Sequence, residues 1–229
     1  EIPFNGAQHG VAVYYRAFGA GSVIGKIWDN SVYKYQKGGV VINGAGTVAD
    51  VKGNTVSGEG PVLYIAQNGI QVGFGTSAQV KDNKVTGHSY SGNNQAADGG
   101  ILVVGGPCYG GDVTANTDIV KNTLDGNDVG VYISNVGEDC VSAPSSMTNI
   151  KVVNNVISKS GLTNKYNDGL GHIGYQAGIS DQGNNDKLIN NTITGDGYSQ
   201  AANPGAYTVP VDADSSFTNK AKVHANVIN

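Results

Sequence analysis

Two short patterns of hydrophobic and polar residues alternate along the whole chain. The first is a glycine followed by alternating apolar residues, and consecutive copies are separated by 29, 30, 31, 30 and 48 residues. Alternation with a period of two predicts a short β-strand with one buried face. The copies begin at Gly10, Gly39, Gly69, Gly100, Gly130 and Gly178, with a degenerate copy at Pro210.

The second pattern is apolar-x-x-Asn-x-apolar, and it occurs in seven places. Its copies are centred on Asn30, Asn54, Asn83, Asn122, Asn155, Asn191 and Asn226. We expect this asparagine to lie at a bend, where it tolerates left-handed backbone geometry and can hydrogen-bond the asparagine of the next unit.

Each unit of about thirty residues contains two short strands and two turns, which are too few to bury an apolar face. Stacking such units in register buries a continuous core and pairs each strand with its equivalents in the neighbouring units. The sequence therefore predicts an all-β fold, a single-stranded right-handed parallel β-helix (solenoid) of about seven rungs. We expect residues 1–229 to form a single domain, either complete or part of a longer chain.

The composition fits strands and turns better than helices. The chain has 35 glycines, and charged residues make up only 14 % of it. A net charge of -4, with 14 Lys and Arg residues spread thinly, gives no basic field for phosphates, so we expect no nucleic-acid partner. No apolar run is long enough to cross a membrane, and the first ten residues lack the features of a signal peptide, so we expect any export signal to have been removed.

With the Asn-Asn-Thr-Ile style of repeat at 190–193, the chain resembles the secreted right-handed parallel β-helix repeat proteins, relatives in fold of pectate lyases and polygalacturonases. The resemblance implies a secreted or cell-surface protein whose partner is a polysaccharide or another glycan. It leaves the activity open, because this fold carries lyases, hydrolases, epimerases, phage tailspikes and adhesins.

The two cysteines occupy equivalent places in consecutive units. Cys108 lies eight residues after Gly100, and Cys140 lies ten residues after Gly130. The distance between stacked rungs matches the Cα separation of a disulfide, so we predict a Cys108–Cys140 bridge and an oxidising compartment. The alternative is two unpaired, buried thiols.

The loops between the asparagine strand and the next glycine strand differ greatly in length. The shortest, of five residues before Gly130, lies between loops of 14 and 20 residues, which predicts a notch in the stack. Aromatic and polar side chains in a cleft suit sugar rings. The candidate substrate-binding residues are Tyr64, His88, Tyr90, Lys165, Tyr166 and Tyr175; the alternative is that the tyrosines pack these loops onto the solenoid wall.

Asp98 and Asp128 each precede a glycine strand by two residues, so they should stack in adjacent rungs at this notch. We expect one of the two carboxyl groups to have a raised pKa unless a cation is bound. The oxygen-rich surroundings would admit Ca²⁺. A separation of roughly 5 Å also matches the carboxyl pair of retaining glycosidases. The alternative is a structural ladder of hydrogen-bonded turn residues.

A third catalytic candidate, His172, comes from a likeness to the polygalacturonase pattern. That likeness comprises Asn116-Thr117-Asp118, Glu138-Asp139 and Gly171-His172. In that family the equivalent residues assemble the acid and the base for inverting hydrolysis. This chain departs from the pattern, because Ile173 replaces the second glycine and the Arg-x-Lys motif that should follow is missing.

These observations lead to two hypotheses. The first is an extracellular carbohydrate-active enzyme, of the glycoside hydrolase or polysaccharide lyase type, that acts on a polysaccharide in the notch. The second is a non-catalytic cell-surface or matrix β-helix that binds glycans or serves as a structural rod. Little sequence is left to cap the ends of the solenoid, so self-association through those ends is a further expectation.

Overall fold

The protein is a parallel β-helix, as the computed structural model shows. The model describes residues 6–229 apart from 18, 20, 93–94, 168, 170 and 214–215. The described strands form three parallel sheets of seven strands, and every third strand in chain order belongs to the same sheet. One turn of the solenoid therefore contributes one strand to each sheet, which gives the seven rungs predicted from the repeats. No helix in the described part of the chain has the length and hydrophobicity of a membrane span.

Sheet A contains the glycine strands. Its members are β1 (Val11–Arg16), β4 (Gly38–Asn43), β7 (Asn68–Gly73), β10 (Gly99–Gly105), β13 (Val129–Asn135), β16 (Tyr175–Asp181) and β19 (Tyr207–Asp212). Sheet B precedes the asparagine turn. Its members are β2 (Val23–Trp28), β5 (Thr47–Lys52), β8 (Ser77–Lys81), β11 (Asp118–Val120), β14 (Lys151–Val153), β17 (Lys187–Ile189) and β20 (Lys222–His224).

Sheet C follows the asparagine turn. Its members are β3 (Ser31–Val32), β6 (Thr55–Val62), β9 (Lys84–Tyr90), β12 (Thr123–Asp125), β15 (Val156–Ser158), β18 (Thr192–Thr194) and β21 (Val227–Ile228). The described helical segments are two short 3-10 turns, Pro107–Tyr109 and Asp196–Tyr198. The core lies between the three sheets, where residues of equivalent position stack in columns such as Ile70, Ile101 and Val131.

Gly39, Gly69, Gly100, Gly130 and Gly178 form a column at the start of sheet A, where the inner rungs leave no room for a larger residue. The end positions of this column are Ala12 and Pro210, so Gly10, two residues before Ala12, lies outside it and the predicted alignment of the first copy was wrong. A Cβ atom on Gly130 would lie 2.5 Å from the carbonyl oxygen of Gly178 and 2.5 Å from Cγ2 of Ile157. Gly69 and Gly178 would meet the next rung's carbonyl oxygen at the same distance. Glycine is therefore required here by the close approach of the coils, and its recurrence in the sequence records this contact.

The asparagines of the second pattern form a continuous ladder at the turn between sheets B and C. The Asn54 backbone N–H donates to Asn83 Oδ1 (2.9 Å), and Asn83 in turn donates to Asn122 Oδ1 (3.0 Å). The stacking is as predicted, but the backbone prediction was wrong. The left-handed residue in the described turns is the one before each ladder asparagine, such as Asp82 or Lys121, because the asparagine itself must direct its amide along the stack.

The predicted Cys108–Cys140 disulfide is confirmed. The two Cα atoms are 5.0 Å apart, and the bridge joins the loops that follow β10 and β13. The cysteines lie outside the core, so the bridge fixes loops of two consecutive rungs to one another.

A second carboxylate pair, which the sequence did not indicate, is buried near the turn between β16 and β17. Asp181 accepts a hydrogen bond from the Thr218 hydroxyl (2.9 Å), and Asp186 accepts one from the Ile150 backbone N–H (2.6 Å). Burial, and then the charge of Asp181, raise the pKa of Asp186 to about 8. Asp186 therefore carries a proton in the folded protein at neutral pH.

This pair predicts that stability falls as the pH rises. In the unfolded chain the pKa of Asp186 is near its ordinary value, so between that value and about 8 the folded state binds more protons and loses stability with increasing pH. We expect the denaturant midpoint of the wild type to fall from pH 6 to pH 9, and to fall less in Asp186→Asn. The exposed Asp196→Asn variant is the control; an equal fall in all three proteins would contradict the prediction.

Candidate functional site

Asp98 and Asp128 lie in contact in adjacent rungs, as predicted. The Asp98 backbone N–H donates to Asp128 Oδ2 (3.4 Å), and the Val129 N–H donates to the Asp98 carbonyl (2.9 Å). Both side chains are 0 % exposed, however. The pair is therefore beneath the surface and not on the wall of an open cleft.

The Asp128 carboxylate is held by both of the long loops that were predicted to flank the notch. Oδ1 accepts a hydrogen bond from Ser89 Oγ (2.7 Å) and lies 3.5 Å from the Lys159 ammonium. Oδ2 accepts bonds from the Tyr90 backbone N–H (2.8 Å) and from Asn164 Nδ2 (3.0 Å). Burial lowers the pKa of Lys159, and the charge of Asp128 opposes that shift.

The predicted notch is closed. Asn164 Nδ2, from the loop before Gly178, lies 3.0 Å from the carbonyl oxygen of Ala96, in the loop before Gly100. Gln95 Nε2 donates to the Asn167 carbonyl (2.9 Å). The two long loops thus meet above the short turn instead of leaving a gap, because Asp128 supplies acceptors for both of them.

Asp98 is the member of the pair whose pKa is raised. Burial, followed by the charge of Asp128, raises its pKa well above the ordinary value, while the Gln67 N–H, Lys37 and Lys159 oppose the shift. Neither of its carboxyl oxygens has a hydrogen-bond partner of good geometry among the described residues. The expectation that one carboxyl of the pair has a raised pKa is therefore confirmed.

A Ca²⁺ ion does not fit this pair. Lys159 already places a positive charge beside Asp128. In the described part of the chain, no group of three or more His, Cys, Asp or Glu side chains could hold a metal. Because Ca²⁺ takes six to eight oxygen ligands, the arrangement suits an ammonium group better than a divalent cation.

His88 belongs to the interior and not to a cleft wall. Its Nδ1 bonds Asn127 Oδ1 (2.8 Å), which only accepts, so this nitrogen carries the proton and Nε2 accepts from the Tyr35 hydroxyl (2.5 Å). Burial lowers the pKa of His88 to about 4. The ring is therefore neutral and positions the loop; Tyr90, at 3 % exposed, is likewise buried.

Tyr166, Tyr175 and His172 meet on the outer face of sheet A, in the last three rungs. Tyr175 stacks on Tyr207 with centroids 5.8 Å apart and an angle of 6° between the planes. Tyr166 lies 6.1 Å from Tyr175, and His172 contacts Tyr207 edge-on at 6.2 Å. We call this half-buried cluster the tyrosine patch; it comprises Tyr132, Tyr166, His172, Tyr175, Tyr207 and Asp212.

Asp212 fixes the stacked rings of the patch. The Tyr175 hydroxyl donates to Asp212 Oδ2 (2.8 Å), and the Tyr207 hydroxyl lies 3.3 Å from Oδ1. Burial, and then the charge of Asp212, raise the pKa of Tyr175 well above its ordinary value. The Tyr175 phenol therefore keeps its proton at neutral pH and donates it to the Asp212 carboxylate.

Sequence reasoning missed Tyr132 and Asp212 because neither stood in a long loop. The positions of Tyr132 and Asp212 in the stacked rows of sheet A are the signal that could have identified them. Tyr132 pairs with Ser180, and Ser180 pairs with Asp212 across sheet A. Extending the repeat alignment into the degenerate copy at Pro210 places Asp212 in the same column of sheet A as Tyr132.

The remaining predicted residues are Lys165 and Tyr64. Lys165 directly precedes Tyr166 and is exposed on the loop before β16, whereas Tyr64 is half-buried between β6 and β7, in the other half of the stack. Their roles in substrate binding stay predictions.

The polygalacturonase-like arrangement is not assembled. Asp118 forms an ion pair with Lys151 on sheet B (2.9 Å), and Asp139 accepts hydrogen bonds from Ser142 within its own loop (2.8 Å). His172 lies instead in the tyrosine patch. The three parts of the motif contact different partners on different elements, so the pattern in the sequence does not correspond to one site.

Comparison with models of protein families, with curated protein sequences and with solved structures gave no match to this chain.

Proposed function

We propose that this protein is an extracellular β-helix that binds a polysaccharide on the outer face of sheet A, at the tyrosine patch. The observation that carries the proposal is the Tyr175–Tyr207 stack held by Asp212. It presents half-buried aromatic rings beside a carboxylate and a partly exposed imidazole.

The chemistry of the patch suits a sugar. Ring faces cover the apolar C–H surfaces of a pyranose, while a carboxylate and phenols hydrogen-bond its hydroxyl groups. The Cys108–Cys140 bridge supports an oxidising, extracellular location. The resemblance to secreted β-helix repeat proteins favours the same class of partner, and membership of their superfamily is part of the proposal.

Replacing Tyr207 with alanine should weaken polysaccharide binding about tenfold, because the loss of one stacked ring and its hydrogen bond removes roughly 1–1.5 kcal/mol. Tyr207→Phe keeps the ring and should lose less. Isothermal titration with oligosaccharides selected on a glycan array measures both effects. Tyr33→Ala, in a side chain that is 62 % exposed directly after β3 of the first rung, is the control and should bind like the wild type.

The proposal fails if no glycan on the array binds, or if Tyr207→Ala, folded by circular dichroism, binds with unchanged affinity.

One observation favours catalysis as a second candidate function. A carboxyl with a raised pKa beside an amine with a lowered pKa, as in Asp98 and Lys159, is typical of catalytic sites. Reducing-end release and unsaturated-product absorbance over a polysaccharide panel test for hydrolase and lyase activity. Activity that appears in the wild type and is lost in Asp98→Asn supports an enzyme; binding without turnover supports the non-catalytic role.

A further inference from the structure

Lysines of consecutive rungs form a column on the outer face of sheet B, away from the tyrosine patch. Lys151 pairs with Lys187 between β14 and β17, and Lys187 pairs with Lys222 between β17 and β20. Strands in register are about 4.8 Å apart, so the column repeats an ammonium group at that interval. We call Lys151, Lys187 and Lys222 the lysine column.

The positive charge of the column is mostly uncompensated. Lys151 forms an ion pair with Asp118 (2.9 Å), whereas Lys187 and Lys222 have no ion-pair partner among the described residues. Lys220, exposed in the turn before β20, adds a fourth ammonium group. Like charges directly opposite one another destabilise a sheet, so this column has an electrostatic cost that a bound anion would relieve.

Amides border the lysine column on one side. Two residues before the lysines, Asn185 Nδ2 donates to Asn149 Oδ1 (2.8 Å), and Asn149 Nδ2 lies 3.3 Å from Asn116 Oδ1. These side chains are exposed or half-buried. The stack offers hydrogen-bonding groups at the same interval as the ammonium groups.

Apolar side chains border the column on the other side. Val153 and Ile189 follow the lysines by two residues, are paired across sheet B, and are half-buried. In the rungs of Lys151 and Lys187, the surface therefore presents an amide, an ammonium group and an apolar side chain in this order; in the rung of Lys222 the same positions hold Lys220, Lys222 and His224.

We propose that the lysine column binds an acidic polysaccharide, whose chain runs along the solenoid axis. Carboxylate or sulfate groups at regular intervals would contact the ammonium groups, hydroxyl groups would contact the asparagine amides, and C–H surfaces would contact Val153 and Ile189. Nucleic acid fits less well, because a duplex carries one negative charge per about 1.7 Å of its axis, a much denser spacing than that of ammonium groups about 4.8 Å apart.

The saccharide nature of this ligand rests on the proposed function, whereas the anion site itself does not. Because sheet A and sheet B face different directions, the two surfaces can hold separate chains. The protein would then bridge two polysaccharides.

The test uses the full chain and isothermal titration with three probes: an oligogalacturonate for carboxylates, a heparin octasaccharide for sulfates, and a neutral dextran oligomer. At low salt we expect binding of at least one acidic probe and no binding of dextran at this site. In the double variant Lys187→Gln/Lys222→Gln that binding should weaken about fivefold to tenfold, because two exposed ion pairs are lost.

The matched control is Lys52→Gln/Lys81→Gln, which removes two lysines that are also in register on sheet B, in rungs nearer the N-terminus. The affinity of this control for the acidic probe should stay within about twofold of the wild type. Both double variants remove two positive charges and are screened alike by salt, so a loss confined to Lys187→Gln/Lys222→Gln is due to the lysine column and not to net charge. Tyr207→Ala should bind the acidic probe normally, which separates this site from the tyrosine patch.

The inference is overturned if neither acidic probe binds, if the two double variants lose affinity equally, or if duplex DNA binds as tightly as the better glycan. Failure of the proposed function has a different signature: Tyr207→Ala then binds the array-selected oligosaccharide as tightly as the wild type, while the acidic probe still loses affinity in the Lys187→Gln/Lys222→Gln variant.

Discussion

Replacing Asp128 with asparagine is expected to lower the free energy of unfolding by about 3–5 kcal/mol, because one partner of a buried ion pair is removed and the other stays behind. Lys159 is only 3 % exposed and would lose its counter-charge. The new amide nitrogen would also face the Asn164 amide or the Tyr90 N–H, which are donors themselves. The loops above the short turn should therefore separate.

Asp98→Asn is the matched control for this prediction. The pKa of Asp98 is raised well above its ordinary value, and its carboxyl group accepts no hydrogen bond of good geometry from the described residues, so an amide of the same shape should change stability by less than about 1 kcal/mol at neutral pH. Urea unfolding followed by circular dichroism compares the two variants. Equal losses in both would show that the two carboxyls share one role, against the structure.

Replacing Gly130 with alanine is expected to lower the free energy of unfolding by about 3 kcal/mol, since the added methyl group overlaps atoms that cannot move away. It would meet the Gly178 carbonyl and Ile157 Cγ2, each at 2.5 Å. Relief requires the fifth and sixth rungs to separate, which stretches the hydrogen bonds of sheet A.

Gly205→Ala is the control for this second prediction. A Cβ atom at Gly205 has no neighbour within 4 Å, so alanine there should leave the unfolding midpoint unchanged. Thermal and urea unfolding of both variants measure the difference. A Gly130→Ala protein as stable as Gly205→Ala would contradict the close packing of the coils.

The fold could be predicted because the recurring glycine and asparagine meet the same packing and hydrogen-bonding requirements in successive rungs. Gly130 has no room for a side chain, and Asn122 must donate to one neighbour and accept from another, so substitutions at either position are costly in the inner rungs. Once the register was known, the Cys108–Cys140 bridge and the contact of Asp98 with Asp128 followed from the position of each residue in its rung.

The candidate site could be predicted only in part, because the lengths and sequences of the loops do not repeat from rung to rung. Loop lengths suggested a gap above Asp128, but Asn164 reaches across and closes it. Tyr166 and Tyr175 were found from the long loop that carries them, and His172 from the Gly-His pair, whereas Asp212 was not found, because its rung is the most degenerate. Long-range contacts between loops depend on side-chain directions that periodicity does not contain.

The asparagine ladder determines how the molecule should come apart. Asn122 donates to Asn155 and accepts from Asn83, so losing one tier leaves unsatisfied amides on the tiers above and below it. Such linkage disfavours gradual fraying and favours a clean fracture between two adjacent coils. Under a force along its axis, the protein should behave as a stiff rod that breaks abruptly at its weakest tier.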